Sequence, residues 1–236
     1  MNDPIGQAIS DFHKNGTAPD ILINTNYTEG ETLPPAYFFR TFDEMPKIEK
    51  TAIKNCQGKI LDVGAAAGSH ALELQKQGFD VTALEKSELA AAVMKKRGVE
   101  KVVCADVFHF NETGFDTIFL LMNGTGIAGT LSRLTEMLMH LKGLLNEDGQ
   151  ILIDSSDIHY LFEEEDGSFW IDLANDNYYG EMDYELVYKN HSTQFKWLFT
   201  DFETLVKTAG EAGLSCQLLE EGEQNDFLAK LTFKHK

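Results

Sequence analysis

From residue 59 onward, short apolar runs alternate with stretches in which hydrophobic residues recur every three or four positions. The continuous runs are typical of strands buried on both faces, and the stretches between them have the period of helices packed on one side. Five strands are predicted, at residues 60–63, 81–84, 102–104, 117–122 and 150–154. Repeated strand and helix alternation predicts a parallel sheet with right-handed crossovers and helices on both faces.

The segments between these strands carry helix signals of different strength. The clearest is a stripe that steps by three and four, at Leu131, Leu134, Leu138, Leu141 and Leu145. Such a stripe places one leucine face of a helix against the sheet. Shorter helices are predicted at 69–77 and 87–97, and the second ends in three cations before Gly98, where the helix dipole favours positive charge.

The last part of the chain is predicted to close the sheet. Thr200 and Glu203 have capping-box spacing and start a helix that runs to Gly213. Strands at 214–219 and 227–233 follow with no helix between them, so they are predicted to be antiparallel. The whole pattern predicts an α/β fold, a Rossmann-like three-layer sandwich whose mostly parallel seven-stranded sheet has an antiparallel C-terminal edge.

Residues 1–45 are interpreted as an N-terminal extension of the α/β domain at 46–236. The extension has candidate elements at 4–12 (a helix), 21–23 (a short strand) and 36–42 (an aromatic cluster). We interpret the aromatic cluster as a lid over the ligand site, with Tyr37 and Arg40 near its polar end. The alternative is that the cluster only packs against the sheet.

Residues 157–199 interrupt the strand and helix rhythm and are interpreted as an insertion. Within it, alternating runs predict a β-hairpin at about 181–199. One face of this hairpin carries Tyr184, Tyr188, Phe195 and Trp197. Either this aromatic face covers the active site, or the hairpin packs on the edge of the sheet.

Composition excludes several classes of protein. With 236 residues and 43% hydrophobic content, the chain buries a core without needing disulfides or metals, and one domain is expected. A net charge of -18 opposes binding to nucleic acid. The charge serves solubility or, as an alternative, favours a cationic substrate or partner.

The cysteines and the absence of long apolar runs indicate where the protein works. Cys56, Cys104 and Cys216 are odd in number and widely spaced, which predicts no disulfide framework, no zinc site and a reducing, cytoplasmic location. No run approaches the roughly 18 apolar residues of a membrane helix, and residues 1–4 lack the start of a targeting segment. We therefore expect a protein with no membrane partner.

Candidate chemistry lies after the strands, because ligands of open parallel sheets bind beyond the carboxyl ends. The first strand runs into the turn 64–68, whose two glycines permit positive φ and close approach of a ligand. Glu85 follows the second strand, roughly twenty residues beyond the turn, where a carboxylate accepts ribose hydroxyls. Gly64-x-x-x-Gly68 is a poor match to the nicotinamide motif, and Asp62 before it suits a cationic ligand. These residues predict a nucleoside-containing cofactor.

At this point a family resemblance can be stated. The segment Ile60-Leu61-Asp62-Val63-Gly64-Ala65-Ala66-Ala67-Gly68, then Glu85, Ala105-Asp106-Val107 and Phe115-Asp116-Thr117-Ile118, resembles the ordered motif set of class I S-adenosylmethionine-dependent methyltransferases. The resemblance covers roughly residues 46–156, and the two closing strands are similar to the antiparallel edge of that family's sheet.

The resemblance implies S-adenosylmethionine as the cofactor and a role for each motif. The methionine end would be held by Asp62 and the turn residues Gly64, Ala65, Ala66 and Gly68. The ribose hydroxyls would bind Glu85, with Lys86 beside it, and the adenine would bind Asp106 and the Val107 N–H. This chain departs from the family at Ala66, where the middle glycine usually stands.

The acceptor side of the site is less well defined by the sequence. The resemblance implies that Met122 and Asn123 line the gap between sulfonium and acceptor. By position only, the catalytic candidates are Asn123, Asp154 and Tyr160, and the substrate or lid candidates are Asp157, Tyr184 and Trp197.

Two further interpretations concern histidines. Asp154, Asp157 and His159 have side chains that bind metals, but capping by Asp157 explains the spacing more simply, so no metal is predicted. His70 is interpreted as a residue at a helix start that packs locally.

The predicted function is methyl transfer from S-adenosylmethionine to a small-molecule acceptor. Gly124 follows Asn123 where methyltransferases of nucleic-acid bases have proline, which disfavours a base-modifying role. One alternative is a cofactor-binding protein of this fold that has lost transfer. A less favoured alternative is an NAD-dependent oxidoreductase.

Overall fold

The structure is a computed structural model that describes residues 2–163 and 177–234. Part of the predicted insertion, residues 164–176, lies outside the described residues. The α-helices of the described chain are α1 (Pro4–Asn15), α2 (Lys47–Asn55), α3 (Ser69–Lys76), α4 (Glu88–Arg97), α5 (Leu131–Leu144) and α6 (Phe202–Glu211). The strands are β1 (Ile21–Thr25), β2 (Glu31–Leu33), β3 (Lys59–Val63), β4 (Asp80–Glu85), β5 (Lys101–Cys104), β6 (Phe115–Leu120), β7 (Leu145–Ser156), β8 (Glu181–Tyr188), β9 (His191–Leu198), β10 (Leu214–Glu221) and β11 (Asp226–Phe233).

The main sheet has seven strands in the order β10-β11-β7-β6-β3-β4-β5. The pairs from β7 across to β5 are parallel, whereas β11 runs antiparallel to both β7 and β10. The predicted mostly parallel sheet with an antiparallel C-terminal edge is confirmed. The chain moves outward from β3 to β5 and then returns on the other side of β3 as β6. This reversal creates a switch point beside β3, where ligands bind in open sheets.

Several predicted boundaries are wrong by a few residues. Leu145 is the first residue of β7 instead of the last of α5, because it pairs with Phe115 of β6. Strand β6 ends at Leu120, before Met122, which adopts a left-handed conformation. The cap of α6 is Asp201 instead of Thr200, since its carboxylate accepts the Thr204 N–H at 2.8 Å.

A second sheet joins the extension to the insertion. Its order is β2-β1-β8-β9, so a strand of the N-terminal extension pairs with the predicted hairpin. Opposite pairs place Tyr184, Phe195 and Trp197 on one face, as predicted. Helix α1 packs on α4 and on this sheet, where the Tyr188 hydroxyl donates to Asp11 at 3.0 Å.

The hairpin also contacts the chain that follows β6. A 3-10 helix, Gly124–Ala128, lies against β9, and a Cβ on Gly126 would overlap the Trp197 ring. Within the described residues the hairpin pairs with β1 and with no strand of the main sheet. The hairpin is therefore not a paired edge strand of the main sheet, although Leu198 at its end is buried in the main core.

The close approach of Trp197 to Gly126 makes a prediction about stability. Gly126→Ala should lower the free energy of unfolding by about 2 kcal/mol, because the indole must shift to make room for a methyl group. The matched control is Gly143→Ala in α5, where no atom lies within 4 Å of the added methyl and helix propensity favours alanine. Urea denaturation measures both variants, and equal effects would contradict the packing described here.

Candidate cofactor and acceptor site

The turn after β3 is held against the neighbouring strand β4. The N–H groups of Gly64 and Ala65 both donate to the Leu84 carbonyl, at 2.9 and 3.2 Å, and the Ala66 N–H donates to Glu85 at 2.9 Å. Gly64 and Gly68 have φ values of 72° and 81°, the left-handed region that favours glycine. The turn therefore presents a slim, fixed backbone at the start of α3.

Gly68 is also fixed by its neighbours. A Cβ at this position would lie 2.8 Å from Val99 and 2.9 Å from Met94, which pack beneath the turn. Arg97 at the end of α4 donates to the Ala67 carbonyl at 2.5 Å. The turn is therefore clamped from the α4 side as well as from β4.

Asp62 is buried at the end of β3 and is 2% exposed. Its Oδ2 atom has no hydrogen-bond partner among residues 2–163 and 177–234. Burial raises the pKa of Asp62 to about 6, the positive charge of His70 opposes this shift, and Glu85 adds to it. A buried carboxylate oxygen without a hydrogen-bond partner costs free energy, so the Oδ2 atom is suited to a cationic group of a ligand.

A buried ion-pair cluster lies beside Asp62. Glu49 of α2, 3% exposed, accepts from Arg40 at 2.6 Å and from the His70 ring at 2.7 Å. Burial disfavours the charged forms, but the hydrogen bond between them raises the pKa of His70 and holds the pKa of Glu49 below its usual value. The charge of His70 acts on the carboxylate of Asp62, and Arg40 lines the same cavity as Asp62.

This small cavity, partly open to solvent, brings these groups together. The Arg40 guanidinium lies 3.5 Å above the centre of the Tyr37 ring, so both predicted lid residues line the cavity. Its other lining residues are Phe38, Met45, Glu49, Asp62, Val63, Gly64, Ala65, Ala66, Ser69, His70, Leu121 and Met122.

Glu85 lies on the other side of the turn. Its two carboxylate oxygens accept the N–H groups of Ala66 and Ser87, each at 2.9 Å. Burial raises its pKa, and these two hydrogen bonds oppose the shift. The Ser87 hydroxyl donates in turn to Asp3 at 2.5 Å, which connects the extension to this part of the site.

The residues predicted to bind adenine follow β5. Asp106 is exposed and its carboxylate accepts the Phe108 N–H at 2.9 Å, which fixes the short helix containing the buried Val107. Lys86 is exposed after β4. These residues lie at the same edge of the sheet as the cavity but do not line it.

The turn after β6 holds two other predicted residues. Met122 lines the cavity, and the Asn123 amide donates to the Leu198 carbonyl of β9 at 3.1 Å. The Asn123 side-chain oxygen accepts from Ser155 at 3.0 Å. Asp154, 9% exposed, accepts the N–H groups of Met122 and Gly124 at 3.1 and 2.8 Å.

Aromatic residues and carboxylates surround the end of β7. Tyr179 donates to Asp157 at 2.9 Å and to Asp201 at 3.1 Å. Tyr160 is 53% exposed. Tyr184 lies 6.3 Å from Trp197, measured between ring centroids, and burial raises its pKa to about 12.

Asp157 and His70 each contact other parts of the site. Asp157 accepts the His159 N–H at 2.9 Å, but the residue that caps the short helix His159–Phe162 is Ile158, which makes no side-chain hydrogen bond to the helix. In the described part of the chain, no three His, Cys, Asp or Glu residues are grouped so that they could hold a metal ion. His70 is more than a local packing residue, because it pairs with Glu49 and lines the cavity.

Sequence reasoning missed Glu49 and the part of the extension that contacts Ser87. A signal for Glu49 was present, since it is in helical phase with Ala52, Ile53 and Cys56, which are buried. A charged residue on the apolar face of a helix requires a partner inside the protein.

The fold and the site define a class of protein: a Rossmann-like domain with a glycine turn and two carboxylates, Asp62 and Glu85, at its switch point. Residues 61–153 match the family described as a methyltransferase domain. A solved S-adenosylmethionine-dependent methyltransferase from Bacteroides fragilis, crystallised with S-adenosylhomocysteine, is 41% identical with a TM-score of 0.93. The alignment covers 99% of this chain and 96% of that chain. This chain belongs to the S-adenosylmethionine-dependent methyltransferases.

Two more distant proteins are also similar. A curated protein of Geobacillus sp. (strain WCH70), named as a methyltransferase, is 29% identical over 102 residues, and the alignment spans 41% of each chain. The sugar N-methyltransferase KedS8 from Streptoalloteichus sp. is 16% identical with a TM-score of 0.60, over 90% of this chain and 97% of that chain. At that identity the second likeness concerns the fold alone.

The departure from the family at Ala66 yields a prediction. Ala66 has a φ of 48°, which costs an alanine about 1 kcal/mol relative to an unstrained conformation. Ala66→Gly should therefore preserve or tighten binding of S-adenosylhomocysteine and leave the melting temperature unchanged or higher. The matched control, Ala67→Gly, removes a fully buried methyl group and should lower the melting temperature. A clear loss of affinity in Ala66→Gly would contradict the assignment of the turn.

Proposed function

We propose that this protein transfers a methyl group from S-adenosylmethionine to a small-molecule acceptor. The observation that carries the proposal is the unpaired, buried Oδ2 atom of Asp62, next to a glycine turn and in the same cavity as Arg40 and His70. The methionine end of the cofactor carries an ammonium group and a carboxylate. The cavity has the carboxylate of Asp62 for the first and the cations of Arg40 and His70 for the second. The residues present therefore fit the cofactor.

In this proposal Asp62 binds the ammonium group of the methionine end. Arg40 and His70 bind its carboxylate, and Glu49 keeps both side chains charged and in place. Tyr37 lies beneath the Arg40 guanidinium, so the extension contributes directly to this subsite. This supports the predicted role of Tyr37 and Arg40 as a lid.

The nucleoside end is assigned to the edge of the sheet beyond the turn. A carboxylate has about four acceptor positions, and Glu85 uses two of them for backbone N–H groups, so it retains acceptors for ribose hydroxyls. Asp106 and Val107 are assigned to the adenine, and Lys86 lies beside Glu85.

The bound cofactor supplies an electrophilic methyl group on a sulfonium. The chain's contribution is to fix the acceptor in line with that methyl and to exclude water. Met122 lines the cavity where the two ligands would meet, and Asn123 holds the same turn through the Leu198 carbonyl. Asp157, Tyr160, Tyr184 and Trp197 are assigned to the acceptor side.

The class of acceptor is the finer part of the proposal. Aromatic side chains of the hairpin suit a small ring-containing molecule. A first panel should therefore contain amino sugars, small amines and phenols. Methylated product from any member supports an enzyme, whereas cofactor binding without transfer to any acceptor would favour the alternative of a binding protein.

We also propose a cytoplasmic location. The support is that Cys56, Cys104 and Cys216 are free thiols in the structure. Among the helices of the described residues, none has the length and apolar character needed to span a bilayer.

The assignment of Arg40 predicts selective loss of affinity. Arg40→Gln should lower the affinity for S-adenosylhomocysteine by about ten- to a hundredfold, which is the contribution expected from a charge-assisted hydrogen bond. The same substitution should change the affinity for 5′-methylthioadenosine, which lacks the amino-acid end, by less than about twofold. Calorimetric titration measures both ligands, and Lys54→Gln on the exposed side of α2 controls for loss of one positive charge. Equal weakening of the two ligands would contradict the assignment.

The assignment of Asp62 predicts a pH dependence. The pKa of Asp62 is raised to about 6, so the free carboxylate takes up a proton below that pH and no longer attracts an ammonium group. Affinity for S-adenosylhomocysteine should therefore be constant above about pH 7 and fall by up to about tenfold per pH unit below 6. The variant Asp62→Asn should bind S-adenosylhomocysteine more weakly than the wild type, and its affinity should change little with pH. An unchanged pH profile in that variant would assign the effect to another group.

A further inference from the structure

The turn that leaves β6 is strained at two successive residues. Met122 and Asn123 have φ values of 66° and 62°, in the left-handed region that non-glycine residues rarely occupy. Asparagine tolerates this region, but methionine does not adopt it without support from its surroundings. The next residue must be small, because a Cβ on Gly124 would lie 2.6 Å from the Cβ of Leu120.

One carboxylate supplies that support. Asp154 of β7 accepts the Gly124 N–H at its Oδ1 atom, 2.8 Å away, and the Met122 N–H at its Oδ2 atom, 3.1 Å away. The Asn123 N–H also faces this carboxylate. Successive backbone N–H groups of a turn can form a concavity that binds an anion, and here the anion is the Asp154 carboxylate of the protein itself.

The neighbouring residue of β7 fastens the same turn from its other side. The Ser155 hydroxyl lies 2.7 Å from the Thr125 hydroxyl and donates to the Asn123 side-chain oxygen at 3.0 Å. It also accepts the Thr200 N–H at 2.9 Å. The turn is therefore held by two adjacent residues of β7 and cannot relax without breaking both sets of hydrogen bonds.

We propose that Asp154 is a positioning residue, whose carboxylate holds the Met122 and Asn123 turn at the junction of cofactor and acceptor, and that it is not the base. The proposal rests on the methyl-transfer function proposed above, since Met122 lines the cofactor cavity. Both oxygens of Asp154 are engaged by backbone donors, and no hydrogen bond within the described residues directs either oxygen at the acceptor side.

Titration alone does not separate the two roles. Burial raises the pKa of Asp154 to about 6, a value that a general base would also have. The other ionisable groups whose charges act on it come from the cofactor side, Glu49 of α2 and Tyr37 of the extension. The geometry of the carboxylate is what favours positioning.

The test compares Asp154→Asn with the wild type by amide hydrogen exchange at Met122 and Gly124. The amide nitrogen of asparagine faces a backbone N–H and cannot accept it, so exchange at these positions should become about ten- to a hundredfold faster. Affinity for S-adenosylhomocysteine should stay within about threefold, because Asp62 and Glu85 are unchanged. With an acceptor from the panel, kcat should fall more than about thirtyfold while KM for the cofactor stays within about threefold.

A double variant checks that strain in the turn is the reason for the effect. Met122→Gly accepts a positive φ at no cost, so in its presence the change in exchange caused by Asp154→Asn should shrink to less than about threefold. If the single variant Asp154→Asn does not fold, amide exchange and kcat are compared instead between the double variant Met122→Gly/Asp154→Asn and the single variant Met122→Gly. Loss of transfer with unchanged exchange at Met122 and Gly124 would overturn the proposal and assign Asp154 as the base. Failure of the wild type to bind S-adenosylhomocysteine would instead refute the proposed function.

Discussion

The attachment of the turn 64–68 to strand β4 is the constraint on which the rest of the site depends. Three successive N–H groups of the turn are satisfied by the end of β4, two by the Leu84 carbonyl and one by Glu85. Because β3 and β4 are neighbours in a parallel sheet, the same contact fixes the start of α3 and the position of Asp62. Glu85, which we assign to the ribose, thus also holds the turn that we assign to the methionine end. A change at one subsite should therefore affect the other.

The N-terminal extension completes that unit instead of merely covering it. Arg40 enters the cavity and pairs with Glu49, the Ser69 hydroxyl donates to the Phe38 carbonyl at 2.8 Å, and Asp3 accepts from Ser87 beside Glu85. The extension also supplies β1, which pairs with the hairpin whose aromatic face lies near Met122. Cofactor and acceptor sides are therefore connected through the extension, and changes in it should affect both.

Much of this fold was predictable from local patterns. Strands β3 to β6 and the apolar part of β7 are short hydrophobic runs between helical stretches, and Asp62, the glycine turn, Glu85 and Asp106 come at the ends of strands in the expected order. What could not be predicted depends on contacts between distant segments. Strand β1 pairs with residues more than 150 positions away, and the charge on Glu49 is explained only once α2 lies against α3. Asp154 was predicted as a catalytic candidate from its position, but its hydrogen bonds to the turn follow from a left-handed conformation at Met122 that the sequence does not signal.

The central claim is that the cavity at the glycine turn binds the zwitterionic nucleoside cofactor of methyl transfer. The most direct measurement is calorimetric titration of the full chain with S-adenosylhomocysteine, with NADH titrated in parallel. The account predicts one site per chain for S-adenosylhomocysteine, a raised melting temperature on binding, and no heat from NADH. Absence of heat at high micromolar S-adenosylhomocysteine, with an unchanged melting temperature, would contradict it.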